Sequence, residues 1–241
     1  MRITRSRNPI IRFYTLGGEI LFQVDQAKYL GVLISDELNW SPHVNGITAK
    51  ANGTLGFLRR NLKVCPKQLK ELSYMTLVRS KLEYCAAIWD PHYNKDITKL
   101  EQVQRRAARY VTNDYEQRSS VTSMLKELGW LNLAERRKHI RLALFYKIIH
   151  ESIAVPHEDI LIPADTRTRA ANSHKFRTLP SKTDHYKYSF FPRTIPEWNH
   201  IPSSIADAPS LDSFKQGLLA AARPAANHAL AASQELARSC I

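Results

Sequence analysis

Lys95, Lys99, Gln102, Arg106 and Arg109 are spaced for contact with a polyanion. On a helix turning 100° per residue they fall within about 80° of one another. Ile97, Leu100, Gln104, Ala107 and Val111 fall on the opposite side. The first face is basic and carries no acid. Solvated helix faces ordinarily mix signs at i and i+4. A face of one sign repels itself, and phosphates relieve that repulsion while releasing their condensed counterions.

Two further clusters have the same character. "RRNLKVCPKQLK" brings Arg59, Arg60, Lys63, Lys67 and Lys70 to the junction of two predicted helices. Between 167 and 193 stand Arg167, Arg169, Lys175, Arg177, Lys182, Lys187 and Arg193, against the single acid Asp184. Phe176, Tyr186, Tyr188, Phe190 and Phe191 are interleaved with them. Basic residues among aromatics suit a single strand or an RNA–DNA hybrid, through backbone charge and base stacking. For Phe190, Phe191 and Trp198, packing into a core is the stronger expectation. Over the whole chain Lys plus Arg number 35 and Asp plus Glu 22, a formal charge of +13. Such a surplus points to RNA, DNA or an anionic surface as partner.

Residues for covalent chemistry are not arranged for it. There is no Gly-rich phosphate loop, no H-E-x-x-H and no G-x-S-x-G. Asp36 and Glu37 are adjacent, and the nine histidines lack ligand spacing. Cys65, Cys85 and Cys240 are odd in number and far apart, which argues against a disulfide framework and a structural zinc site. Free buried thiols in a reducing compartment are the expectation for Cys65 and Cys85. No apolar run approaches the length of a membrane span. Residues 1–18 are Arg-rich and acid-free, like a transit peptide, but "IIRFYT" is β-type and Pro9 breaks an amphipathic helix.

The elements that must position these residues follow from pattern and punctuation. "IIRFYT", the turn dipeptide Gly17-Gly18 and "EILFQV" predict a hairpin, with "KYLGVLI" as a neighbouring strand. Gly31 within that third strand predicts a bulge or a close backbone approach. Ser41 caps a helix with Pro42 at its first position, running to about Leu62. A second helix runs from Pro66 through Trp89 and is stopped by Asp90-Pro91. A third spans Lys95 to Val111, "SVTSMLKEL" forms a short fourth, and Asn132 caps a fifth. After Pro156 an extended, irregular segment is predicted over 157–208. Within it the two prolines of "RTIPEWNHIP", Arg193–Pro202, argue against a regular helix. Ser210 caps a final helix, and an Ala-rich tail over 219–241 is expected to fray or be disordered.

The fold class is thus mostly α: a helical bundle preceded by a small antiparallel β hairpin, with an extended C-terminal arm and a final helix. The expected divisions are 1–40, 41–155, 156–218 and 219–241.

Five motifs stand in a suggestive order: "YLGVLISDELNWSPHV", "LVRSKLEYCAAIWDP", "LEQVQRRAARYV", "LNLAERRKHIRLALFYKI" and "SFFPRTIPEWNHIP…SLDSFKQGL". Together, over about residues 1–218, they resemble the C-terminal part of jockey-like non-LTR retrotransposon reverse transcriptases. The resemblance implies that Tyr29 and Gly31, in "YLGV", lie where the palm ends and grips the primer strand. It implies that the helices from Ser41 onward are thumb-like and lie along template–primer duplex. It implies that "RTIPEWNHIP" closes the C-terminal region, with Trp198 and the prolines locking the arm to the helices.

The family's Mg²⁺-binding aspartates belong to a [FY]-x-D-D turn and an earlier strand, and no Asp-Asp pair occurs here. The chain is therefore expected to be a truncated fragment without catalysis and without a cofactor of its own, lacking the fingers and most of the palm. Its expected activity is non-specific, salt-sensitive binding of RNA or RNA–DNA hybrid through Tyr29, Gly31, Arg59, Arg60, Lys63, Lys95, Lys99, Arg106, Arg109, Arg167, Arg169, Arg177 and Arg193. The alternatives are a co-opted helical module that binds an acidic protein, and a relic without function.

Overall fold

The computed structural model describes residues 1–3, 12–164 and 175–222. The fold is mostly helical, with two small antiparallel strand pairs before the helices. The contacts divide the chain into two units between Arg137 and Lys138, inside a long helix.

The first pair, β1 (Thr15–Leu16) and β2 (Glu19–Ile20), turns at Gly17 and Gly18, both at positive φ (61° and 85°). All four of its strand residues are exposed. The second pair corrects the expectation of one continuous third strand. "KYLGVLI" folds on itself as β3 (Gln26–Tyr29) and β4 (Val32–Ser35), with Tyr29 opposite Val32. Leu30 (φ 45°) and Gly31 (φ 87°) form the turn. Two successive left-handed residues give the twist a two-residue hairpin needs. Val32 and Ser35 are buried, so this pair, unlike the first, packs on the helices.

Helices α1 (Ser41–Asn61) and α5 (Asn94–Thr112) form the centre of the first unit. Val44, Thr48, Ala51, Leu55 and Leu58 are buried on α1. Asp96, Leu100, Val103, Ala107 and Tyr110 are buried on α5. Both series step by four and three, the spacing of a heptad seam. Cross-links confirm parallel packing in register: Ser41 Oγ donates to Asp96 Oδ2 at 2.6 Å, Lys99 Nζ to Asn45 Oδ1 at 2.7 Å, and Arg106 to Asn52 Oδ1 at 3.0 Å.

A crossover joins these parallel helices, and it is not the single helix expected from Pro66 to Trp89. α2 (Lys67–Tyr74) passes into a π-helical turn (Met75–Arg79) and then α3 (Ser80–Glu83). The chain breaks at Tyr84 and at Cys85, which is left-handed (φ 52°), before α4 (Ala86–Trp89). α4 does end at Asp90-Pro91 as the sequence indicates. α6 (Val121–Glu127) is capped by Ser120 Oγ, which accepts from the Ser123 amide. α7 (Leu133–Ile149) is capped by Asn132 Oδ1, which accepts from the Glu135 amide. The first turns of α7 are tied within this unit: buried Arg137 donates to Asp90 at 2.7 Å, and Arg136 pairs with Glu83.

From Lys138 onward, Phe145 of α7 gathers Phe176, Phe190, Phe191 and Trp198 around it. Tyr146 stacks on Phe214, and its hydroxyl donates to the Ala208 carbonyl at 2.6 Å. Core packing of Trp198 and of the two phenylalanines is thereby found as expected. The description of this region as irregular needs correction. α8 (Asp184–Lys187), α9 (Phe190–Asn199) and α10 (Ser203–Ala206) precede α11 (Leu211–Ala222), which Ser210 caps. Phe190–Asn199 is helical in spite of Pro192 and Pro196. Pro192 is the third residue of α9, where an amide has no intrahelical acceptor to lose. Pro196 lies further in, but α9 ends three residues later and buries Ile195 and Trp198. Asn199 then bonds both the amide and the carbonyl of Phe176, at 3.0 and 2.7 Å.

Candidate nucleic-acid interface

The exposed face of α5 is basic, as its sequence spacing predicts. Lys95, Lys99, Gln102, Arg105 and Arg106 are exposed on it. Of the two acids of α5, Asp96 is buried against Ser41, and Glu101 accepts from the Ala134 amide at the start of α7. The cations are fixed by neutral groups. Lys99 and Arg106 each donate to an asparagine of α1, and Lys95 lies over the Tyr93 ring at 5.6 Å. An amide oxygen orients a cation without cancelling its charge. Asn45 and Asn52 are therefore part of the site, and the sequence reading missed them. Their seven-residue spacing, matching that from Lys99 to Arg106, is the signal that pairs them.

Arg109 is placed differently from the other four predicted residues. It is half-buried, and its guanidinium donates to the carbonyls of Asp114, Glu116 and Ser119 at 3.0–3.4 Å. It shapes the loop after α5, where Asn113 is left-handed (φ 55°). The Asp114 carboxyl in that loop is held below the usual carboxylate range, first by the Ser119 hydroxyl and then by the Glu116 amide.

Arg59, Arg60 and Lys63 are exposed at and beyond the end of α1, with Arg59 over the Tyr115 ring at 5.1 Å. Lys67 pairs with Glu127 at 2.5 Å. Lys70 is buried and lies over Tyr110 at 5.7 Å, so it leaves the exposed cluster. On α1, Gly46 and Gly53 face open space, where an added Cβ would meet nothing. Glycine inside a helix costs about 1 kcal/mol relative to alanine.

Tyr29 is exposed at the end of β3. Gly31 fulfils the close-approach alternative. A Cβ there would stand 3.2 Å from Tyr84 Cε1, and the φ of 87° independently favours glycine. In the second unit, Arg177 is exposed and Arg193 is half-buried, 6.0 Å from the Tyr188 ring. Arg167 and Arg169 lie outside the described residues.

Cys65 and Cys85 are free thiols, half-buried rather than buried. Among the described residues no group of three or more His, Cys, Asp or Glu side chains could hold a metal ion. None of the described helices is long and apolar enough to cross a membrane. Comparison with family models, with curated proteins and with solved structures finds no match.

Proposed function

We propose that this chain is a nucleic-acid-binding fragment related to the C-terminal part of non-LTR retrotransposon reverse transcriptases, and that it grips the backbone of RNA or RNA–DNA hybrid without catalysing polymerisation. The observation that carries the binding is the acid-free ridge Lys95–Lys99–Arg106 on α5, oriented by the uncharged Asn45 and Asn52 of α1. A turn of helix rises about 5.4 Å. Cations one and two turns apart on one ridge therefore suit neighbouring and next-neighbouring phosphates of a strand. Arg59, Arg60 and Lys63 extend the basic surface past the end of α1. The sequence offers no Asp-Asp pair for the family's two-metal chemistry, so binding is the activity assigned.

The test is a salt titration of binding to an RNA–DNA hybrid. Each neutralised phosphate contributes roughly −0.9 to the slope of log K against log salt. Three to five contacts give a slope of about −3 to −4.5. A slope near zero overturns the reading and leaves the protein-interaction alternative ahead. Template-directed extension of a primer by the pure chain, abolished by a chelator, would overturn the non-catalytic part alone.

A further inference from the structure

A cavity of about 370 Å³ lies within the second unit, between the end of α7 and the connection from α10 to α11. Tyr146 holds its two sides together. The hydroxyl donates to the Ala208 carbonyl at 2.6 Å, and the ring stacks on Phe214 at 4.7 Å. Pro209 and Leu211 are thereby set across from α7. The His150 ring stacks in turn on Tyr146, with centroids 4.0 Å apart and planes at 26°. Just past α7, Glu151 is left-handed (φ 51°), and the Ser152 amide returns to the Lys147 carbonyl at 2.9 Å. That turn brings Ser152 into the wall.

The polar groups of this cavity are basic. Lys147 and His150, three residues apart, both line it. Among the described residues the Lys147 ammonium meets no carboxylate and no hydrogen-bond acceptor, and neither ring nitrogen of His150 has a hydrogen-bond partner. No carboxylate lines the cavity. Glu151 is exposed, and Asp212 pairs with Lys215 at 3.6 Å. A cation in the last turn of a helix ordinarily turns to the orphan carbonyls or to solvent. Lys147 is instead half-buried on a cavity wall beside a second basic group.

We propose that this cavity binds a small phosphomonoester, with the phosphate between Lys147 and His150. Donors without acceptors select an oxyanion, and a phosphate offers oxygens to two donors at once. The volume falls at the lower end of small-molecule sites, about 300–1,000 Å³. It leaves room for a carbon body against Tyr146, Pro209 and Leu211. The site lies in the second unit and does not rest on the nucleic-acid reading above.

The experiment titrates the full chain with inorganic phosphate and with phenyl phosphate at constant ionic strength, following the amide resonances of Ser152 and Leu211. Both ligands should shift them saturably, and sodium chloride should not. Phenyl phosphate should bind roughly fivefold more tightly, because its ring covers the apolar wall. Lys147→Gln keeps helix propensity and should weaken both ligands roughly tenfold, the loss of one charged hydrogen bond. His150→Phe keeps the stack on Tyr146, removes both nitrogens and should weaken both roughly fivefold. The proposal is overturned if chloride reproduces the shifts, if neither amide responds to phosphate, or if both variants bind like the wild type. Equal affinity for the two ligands overturns the phosphomonoester assignment. Displacement of phenyl phosphate by an RNA–DNA hybrid without terminal phosphates would give the cavity to a polynucleotide backbone and overturn it as well.

Discussion

Arg106 donates to Asn52 across the α1–α5 seam at 3.0 Å, and the bond leaves its charge whole. One heptad earlier Lys99 and Asn45 repeat the arrangement at 2.7 Å. A cation held by a neutral acceptor keeps its attraction for phosphate and loses part of the conformational freedom that binding would otherwise have to remove. Replacing Lys99 and Arg106 together by Gln should lower the salt slope by roughly 1 to 2 units. Stability should change little, since Gln, Lys and Arg have similar helix propensity. An unchanged slope would identify the ridge as an ordinary solvated face.

Arg109 should behave in the opposite manner. Its guanidinium is engaged with three loop carbonyls. Arg109→Gln should destabilise the 113–119 loop by about 1 kcal/mol and leave the salt slope nearly unchanged. Urea unfolding and the salt titration of the same variant separate the two effects.

The two hairpins should differ in amide exchange. β1–β2 is exposed on every strand residue, whereas β4 buries Val32 and Ser35 and is tied through His43. Fast exchange is expected over residues 12–24 and slower exchange at Leu33 and Asp36. Equal rates in both pairs would mean that the His43 hold contributes nothing.

His43 makes the second hairpin sensitive to pH. Its Nδ1 accepts the Leu33 amide, so the ring must be neutral at that atom. Burial, and secondarily the charge of Lys50, lowers its pKa below the ordinary 6.5. A base with a lowered folded pKa binds more protons when unfolded, so stability rises with pH across the interval between the two values. The contribution is complete above about pH 6.5 and is lost as pH falls through the lowered folded value. Leu33 exchange, corrected for intrinsic rate, should accelerate in acid. In His43→Gln, whose amide oxygen can accept at any pH, the acceleration should disappear.

The buried pair of Arg137 and Asp90 should be among the costliest to break. Asp90→Ala leaves a guanidinium without its carboxylate in the interior and should cost about 3 to 5 kcal/mol. The double change Asp90→Leu/Arg137→Met removes both charges and should cost much less. Amide exchange in α1 and α5 reports this within the first unit.

The sequence alone determined the features whose causes are local. The extents of α1 and α5, the caps Asn132 and Ser210, the stop at Asp90-Pro91 and the basic face of α5 all rest on residues a few positions apart. A helix face repeats every 3.6 residues, and a cap lies within its own turn. Tertiary structure decided what depended on distant partners. The break at Cys85 cannot be read locally, because the Tyr84 carbonyl is satisfied by an indole and the Tyr84 hydroxyl by a carbonyl 54 residues earlier. Residues 190–199 form a helix despite Pro196 because Ile195 and Trp198 find a core around Phe145 and Phe214. Arg106 and Arg109 look equivalent on a helical wheel. One is left exposed beside Asn52 and the other is drawn into a loop, because spacing fixes the direction of a side chain and only the packed neighbours fix what it meets.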